Sequence, residues 1–562
     1  MFQQDLQPVG DSLALSALCG ALPLLTLFVL LGGLRMKAWL AGLISLAVAL
    51  VIAIALFEMP VGQALLAGSE GAAFGFFPIL WIVLNAIWVY NLTVASGHFD
   101  VLRRSFEKVS PDQRVQAIII AFCFGALLEA LAGFGTPVAI TVVMLMALGF
   151  EPLKAAVVAL VANTAPVAFG ALATPIVTLG TVTSGAGDDP GLDVDTLGAM
   201  VGRQTPLLAV VVPLILVYIV DGRRGVRNAW LPALTCGVTF AVAQFVASNY
   251  ISVPLTDIIA SLVAAGAVVL LVRVWHPAEV LTATPVEVRE PVTTGGGTTS
   301  TTAAEELRDP RHHDTGADVA RAYAPYLVII AIFSITNITA VKERLAEEPW
   351  TKVFAWPGLD VRNTAGDPVA TTNFTLNWLP AAGTLMILAG IITAVVLQVR
   401  PGQALRTYAK TYVELRSAIV TVMAVLALAY VMNLSGQTGS LGAWLAGAGA
   451  AFAILSPIIG WLGVAVTGSD TSSNALFGAL QVQTAGSAGL DPVLMAAANS
   501  SGGVLGKMVS PQNLAIAAAA VGLAGKEGDI FRKVIGWSLL LLALMCLIVW
   551  LQSTAVLDWM VP

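Results

Sequence analysis

Residues 163–175 read NTAPVAFGALATP, and residues 499–511 read NSSGGVLGKMVSP. In each stretch the Asn and the final Pro stand twelve residues apart, and a glycine, Gly170 or Gly506, falls at the same register. Upstream, GFEP (149–152) pairs with GLDP (489–492), and further upstream GFGTP (133–137) pairs loosely with GSDTS (468–472). The order of the three elements is kept, with a four-residue length difference between the Pro and the Asn. This is an internal repeat, and both copies are studded with Gly, Pro, Ser, Thr and Asn. In apolar surroundings such residues break helices, and the freed backbone groups are tolerated at membrane depth only where protein or a water-filled cavity covers them.

The surroundings are apolar. Of 562 residues 57% are hydrophobic and 11% charged, against roughly 25% charged in ordinary soluble domains. At about 20 residues per spanning helix, some 320 apolar residues cap the count near sixteen crossings. Allowing for loops, the sequence predicts an all-α polytopic membrane protein with about 12 to 14 transmembrane helices and two repeats containing broken or re-entrant helices. A β-barrel would show alternating segments of about ten residues instead. A net charge of −6 with no basic stripe sets nucleic acid aside. The four cysteines, Cys19, Cys123, Cys236 and Cys546, lie in apolar runs without CxxC spacing. Neither HExxH nor GxSxG occurs, so no metal, no cofactor and no enzymatic activity are expected.

Lys and Arg mark the cytoplasmic loops. They cluster at Arg35/Lys37, Arg103/Arg104/Lys108/Arg114, Arg223/Arg224/Arg227, Arg400/Arg406/Lys410/Arg416 and Lys526/Arg532/Lys533. Intervening loops are acidic or neutral, with Glu58 and Glu70 in one and Asp188, Asp189, Asp193 and Asp195 in another. Both termini are therefore expected outside. The run from about Ser12 to Gly33 has no positive residue before it and is expected to be a retained first helix. The chain divides into a membrane half at 1–275, a flexible cytoplasmic linker at 276–320 with the run TTGGGTTSTT (293–302), and a second membrane half at 321–562. Residues 342–378, with Trp350, Trp356 and Trp378, are expected as an external loop at the interface. On this charge map the first repeat starts inside and ends outside, while the second starts outside and ends inside. Oppositely directed copies with matched breaks are the mark of secondary transporters, with the substrate site at the repeat interface.

Ionisable residues within such segments are functional hypotheses by default. Glu129, in FGALLEALAGFGTP, is a candidate for proton or coupling-ion binding, and Asp470, in TGSDTSSN, is the second. Around Asp470 the side chains of Thr467, Ser469, Thr471, Ser472, Ser473 and Asn474 offer oxygens for a helix cap or a small polar solute. Lys507 needs a partner: a substrate carboxylate, Glu129 or Asp470 are all open to it. Gly135 and Thr136, with Asn163, Thr164, Asn499, Ser500 and Ser501 at the matched breaks, are expected to line a substrate site. Helix N-termini at these breaks would direct free N–H groups at an anion. Arg203 is expected to snorkel to the interface, and Asp257 to be an ordinary interface residue.

These segments, FGALLEALAGFGTPVAI (124–140), LVANTAPVAFGALATPI (160–176), VTGSDTSSNALFG (466–478) and NSSGGVLGKMVSPQNLAIA (499–517), closely resemble the lactate permease family of bacteria and archaea. The resemblance extends over nearly the whole chain. It implies proton-linked import of L-lactate, with D-lactate and glycolate, across the cytoplasmic membrane, so the expected partners are a small 2-hydroxy monocarboxylate, protons and the bilayer. The alternative is a sodium-coupled carboxylate carrier or a sodium/proton antiporter of related design.

Overall fold

The computed structural model describes residues 1–562 except 35, 134, 185, 187–190, 278, 282–312, 337 and 524–525. Arg35, Phe134 of the GFGTP motif, the loop residues Asp188 and Asp189, and the linker run at 293–302 therefore lie outside the described residues. The protein is an all-α polytopic membrane protein. Among the described residues ten helical stretches are long and apolar enough to cross a bilayer, and Pro152–Ala162 with Val167–Thr183 adds an eleventh bent by 65°.

That count is lower than 12 to 14 because some helical stretches hold more than one crossing. Val194–Ile251 runs for 58 residues, about 87 Å at 1.5 Å per residue, nearly three times the apolar core of a bilayer. It is broken at Asp221 (φ −142°) and Gly222 (φ +58°), beside the cationic residues 223–227. Its two arms are the separate apolar runs 197–220 and 230–249. Two other apolar helices, Thr136–Ala147 and Ala382–Val396, are too short to span alone.

Small strands stitch one end of the molecule. Phe2–Gln3 pairs in parallel with Val361–Arg362, and Lys352–Ala355 pairs antiparallel with Asn373–Leu376. The N-terminus and the 342–378 segment thus lie on one side.

The two sequence repeats hold helices in a similar order. Helices Thr136–Ala147, Pro152–Ala162 and Gly170–Thr183 in the first are matched by Asp470–Ala488, Pro492–Gly506 and Pro511–Ala520 in the second. Left-handed glycines occur at corresponding joints: Gly133 (φ +51°) and Gly135 (φ +83°) in the first copy with Gly468 (φ +77°) in the second, and Gly149 (φ +80°) with Gly489 (φ +71°). Only glycine adopts this conformation without strain, so the repeat is written in backbone geometry as well as in sequence. A further pair lies upstream, Gly97 (φ +81°) and Gly436 (φ +89°), each just before a helix.

Within the second copy, helix Phe452–Thr467 lies backbone to backbone against Pro492–Gly506. A methyl group at Gly460, Gly502 or Gly506 would collide with the main-chain oxygen of Asn499, Pro457 or Trp461 respectively. Small residues at such seams let membrane helices gain dispersion contacts that side chains would prevent.

Glu70 corrects the charge map. It lies within helix Val61–Phe74, not in an outer loop, and is fully buried with neither carboxylate oxygen bonded. The packing explains why: neighbouring Gly71 meets the backbone of Leu426 and Ala427. The helix is pressed against Pro401–Leu434 at this point.

Arg114, at the foot of the helical run that carries Glu129, is also buried. Its guanidinium donates to Asp112 (2.7 Å), to Asp221 (3.2 Å) and to the Glu279 carbonyl. The Gln113 N–H donates to the Leu281 carbonyl (2.9 Å), and the Leu281 N–H to Asp112 (3.2 Å), so the chain entering the linker is pinned here. On the far side of residues 282–312, Asp314 accepts from Arg104 (2.5 Å), which holds its carboxyl below the usual carboxylate range.

Removing one partner from a buried ion pair leaves the other uncompensated, at a cost of about 3–5 kcal/mol. Arg114→Ala is therefore expected to lower the thermal unfolding temperature of the detergent-solubilised protein markedly, and Arg114→Lys to lower it less. An unchanged transition in Arg114→Ala would remove this hub from the account.

Candidate functional site

A cavity of about 1250 Å³ lies where the two repeats meet. Its wall takes Glu129, Gly133, Gly170 and Ala171 from the first copy and Ser469, Asp470, Thr471, Ser472 and Lys507 from the second. Lys37, Glu414 and Glu527 also line it.

Glu129 and Lys507, 378 positions apart in sequence, form an ion pair at 2.7 Å. Both are almost wholly buried, at 3% and 6% exposure. The second Glu129 oxygen accepts from Asn163 Nδ2 at 2.9 Å. The carboxylate thus has a cation on one oxygen and an amide donor on the other, the partners a buried charge requires.

Its seat is built from missing side chains. A methyl at Gly170 would sit 2.8 Å from Glu129 Oε1, and one at Gly133 would sit 3.8 Å from it. Beyond Gly170 the chain makes a left-handed turn through Ala171, Leu172 and Ala173 (φ +44°, +56°, +59°). Non-glycine residues pay roughly 1–2 kcal/mol each for this conformation. Backbone strain of this kind concentrates at functional sites. Pro175 follows one turn on, so the helix is distorted where it faces the cavity.

Asp470 sits in the first turn of helix Asp470–Ala488, whose N-cap Ser469 accepts from the Ser472 N–H. Ser500 donates to Asp470 Oδ2 at 2.6 Å, while Oδ1 is buried without a partner. A methyl at Gly503 would strike Oδ1. A second helix N-terminus, at Pro511 with Ser510 as cap, adjoins the cavity, and Pro511 and Gln512 line it. Two positive helix ends and two ammonium groups, of Lys507 and Lys37, therefore line the same space, which suits a small anion.

Several sequence-level candidates sit elsewhere. Asn499, Ser500 and Ser501 are not at the break but inside helix Pro492–Gly506, because the second copy breaks later, at Lys507–Val509. They lie behind the wall. Asn499 donates to Asn474 (2.9 Å), and Asn474 donates to the Pro175 carbonyl (3.0 Å), which ties the second copy to the first. Gln481 donates to Asn499 (3.0 Å). Thr164 bonds its own helix through the Val161 carbonyl (2.7 Å). Gly135 packs on Ile516, and neither it nor Thr136 lines the cavity. Arg203 is half-buried and holds Asn249 (2.9 Å) and the Met560 carbonyl (2.8 Å), a structural tie for the C-terminus. Asp257 is not an interface residue: it is fully buried and accepts from Gln244 at 2.9 Å. Gly170, already matched to Gly506 in the repeat, and Gly503 make room for the Glu129 and Asp470 carboxylates, a role that leaves no one-dimensional signal.

The sequence profile of the L-lactate permease family matches residues 16–556. The L-lactate permease of Bacillus subtilis is 40% identical over 581 residues, covering 100% of this chain and 99% of its own. That of Escherichia coli K12 is 40% identical over 572 residues and covers both chains fully. The glycolate permease GlcA of Escherichia coli K12 is 41% identical over 560 residues, 98% of each chain. Among solved structures, the Alcanivorax borkumensis YdaH transporter matches with a TM-score of 0.43 at 13% identity over 86% of each chain.

The ion pair makes a stability prediction separate from any activity. Lys507→Ala strands the Glu129 carboxylate and is expected to cost about 3–5 kcal/mol. Neutralising the stranded group in Lys507→Ala/Glu129→Gln should recover most of the lost melting temperature in detergent. If the double variant is no more stable than Lys507→Ala alone, the two groups are not paired as described.

Proposed function

The chain belongs to the L-lactate permease family, and from that premise we propose that it imports L-lactate, with D-lactate and glycolate, by proton symport across the cytoplasmic membrane. The observation that carries the coupling is the Lys507–Glu129 pair facing the cavity. A lactate carboxylate entering from the cavity competes with Glu129 for the Lys507 ammonium. Once Lys507 turns to the substrate, Glu129 is a buried carboxylate without a cation, and a proton is what neutralises it. Without substrate the Lys507–Glu129 pair carries one positive and one negative charge. With lactate bound, Lys507, the lactate anion and a protonated Glu129 together again carry no net charge. Charge conservation in a low-dielectric site thereby links one proton to one anion, and neither binds well without the other.

Around that pair, the Ser469, Thr471 and Ser472 hydroxyls and the two helix ends supply donors and acceptors for the 2-hydroxyl group and the second carboxylate oxygen. Asp470, with one oxygen unpartnered, is the second proton-binding candidate. In this reading Asn163 and Thr164, Asn499, Ser500 and Ser501 act from behind the wall by holding the carboxylates and the breaks in place.

Direction follows from the charge map. Lys37, Glu414 and Glu527 belong to or adjoin the loops that carry the Lys/Arg excess, so the cavity opens toward the cytoplasm, both termini lie outside, and the repeats run in opposite directions.

Labelled lactate uptake into vesicles under an imposed pH gradient, with and without sodium, tests the proposal. Wild type is expected to concentrate lactate without sodium, with glycolate competing. Glu129→Gln is expected to lose gradient-driven accumulation at least tenfold while lactate exchange persists, since a permanently neutral side chain keeps Lys507 free for the anion. Strict sodium dependence, or normal accumulation by Glu129→Gln, overturns the reading.

A further inference from the structure

Asp257 is a buried carboxyl that the proposed cycle does not use. It lies in helix Thr256–Val274, has no exposed surface, and its Oδ2 has no hydrogen-bond partner. Its Oδ1 accepts from Gln244 Nε2 at 2.9 Å. The same amide nitrogen points at the Ala165 carbonyl, 3.4 Å away, while the Thr205 hydroxyl, 3.1 Å from the Val201 carbonyl, lies 3.4 Å from the Gln244 side-chain oxygen. The two N–H groups of the Gln244 amide are thus turned toward Asp257 and Ala165.

What Gln244 grips is the tip of the first broken helix. Ala165 sits in the turn between Pro152–Ala162 and the short helix at Val167–Phe169, two residues after the Asn163 that donates to Glu129. The carbonyl of a broken helix has no partner along its own helix, so a side chain that captures it sets where the break stands. A connected path runs from Asp257 through Gln244 and the 163–165 turn to Asn163 and Glu129.

We propose that Asp257 is a positioning residue for the coupling carboxylate: it orients Gln244, Gln244 holds the break, and the break keeps Asn163 on Glu129. The inference rests on the proton-symport reading and names a residue that reading leaves idle. Its hold on Gln244 is a hydrogen bond accepted by Oδ1, which a neutral isostere can also make. The groups facing Glu129 are Lys507, Asn163 and, across the helix contact, Asp257, with Asp470 on the same cavity wall.

A hydrogen bond donated to a carboxylate favours its ionised form, so losing the Asn163 donor raises the pH at which Glu129 takes its proton. For one charge-assisted bond the shift is about one pH unit. The experiment is the pH profile of gradient-driven lactate uptake in vesicles holding equal amounts of folded protein, checked by monodisperse elution. Asp257→Leu and Gln244→Met are each expected to move the half-maximal pH upward by about one unit, as is Asn163→Ala. Asp257→Leu/Asn163→Ala should move it no further than Asn163→Ala alone, because one path is being cut twice. Asp257→Asn, neutral and still able to accept from Gln244, should restore the wild-type profile. Gln244→Met reads the same path if Asp257→Leu does not fold. Profiles that stay put in Gln244→Met, or shifts that add in the double variant, overturn the positioning role and leave symport standing. A wild type whose uptake ignores pH overturns the symport reading, and this inference with it.

Discussion

The site depends on one ion pair. An ammonium and a carboxylate brought 2.7 Å apart at almost complete burial are tolerable in a membrane protein only together, and either one alone is a large penalty. Much of the surrounding structure can be understood as provision for that pair. Gly170 is bare because a methyl would press on the carboxylate, and Asn163 supplies the donor for the oxygen that Lys507 does not reach. Because Glu129 comes from the first copy and Lys507 from the second, the pair also fastens the two repeats across the cavity. A polar fastening that a small anion can compete for is a reasonable place to couple binding to a change of shape.

The backbone carries the rest. Left-handed glycines at 133 and 135 against 468, and at 149 against 489, give the two copies corresponding joints. Close approach at Gly460, Gly502 and Gly506 leaves helices Phe452–Thr467 and Pro492–Gly506 without room to separate side chains. The copies differ where they break. The first breaks at 163–169 and continues through the left-handed turn at 171–173, while the second stays helical through Gly506. That asymmetry puts Asn163 at a tip and buries Asn499 in a helix. It lets one Asn serve the carboxylate and the other serve the contact between copies.

The fold class and the three ionisable residues of the repeats that meet in the cavity were legible in the sequence because each rests on a local contrast: a charge or a helix breaker inside an apolar run. Glu129, Asp470 and Lys507 stood out for that reason. The count of crossings was less legible, since apolar length does not say where a run such as 194–251 folds back, and the turn at Asp221–Gly222 leaves only a weak mark. Glu70 and Asp257 were misplaced because position along a segment does not tell which face of a helix meets protein. Gly71 against residues 426–427, and Gln244 beside Asp257, are contacts between segments far apart or differently oriented. The choice of Glu129 rather than Asp470 as partner for Lys507 was likewise invisible until the two copies were brought together.

The central claim is that substrate and proton exchange places around Lys507. It is tested most directly by following proton uptake with a pH indicator when lactate is added to the purified protein in weakly buffered detergent solution. The account predicts about one proton absorbed per lactate bound at neutral pH, and close to none for Glu129→Gln at a lactate concentration that saturates it. Lactate that binds the wild-type protein to saturation with no proton taken up contradicts it.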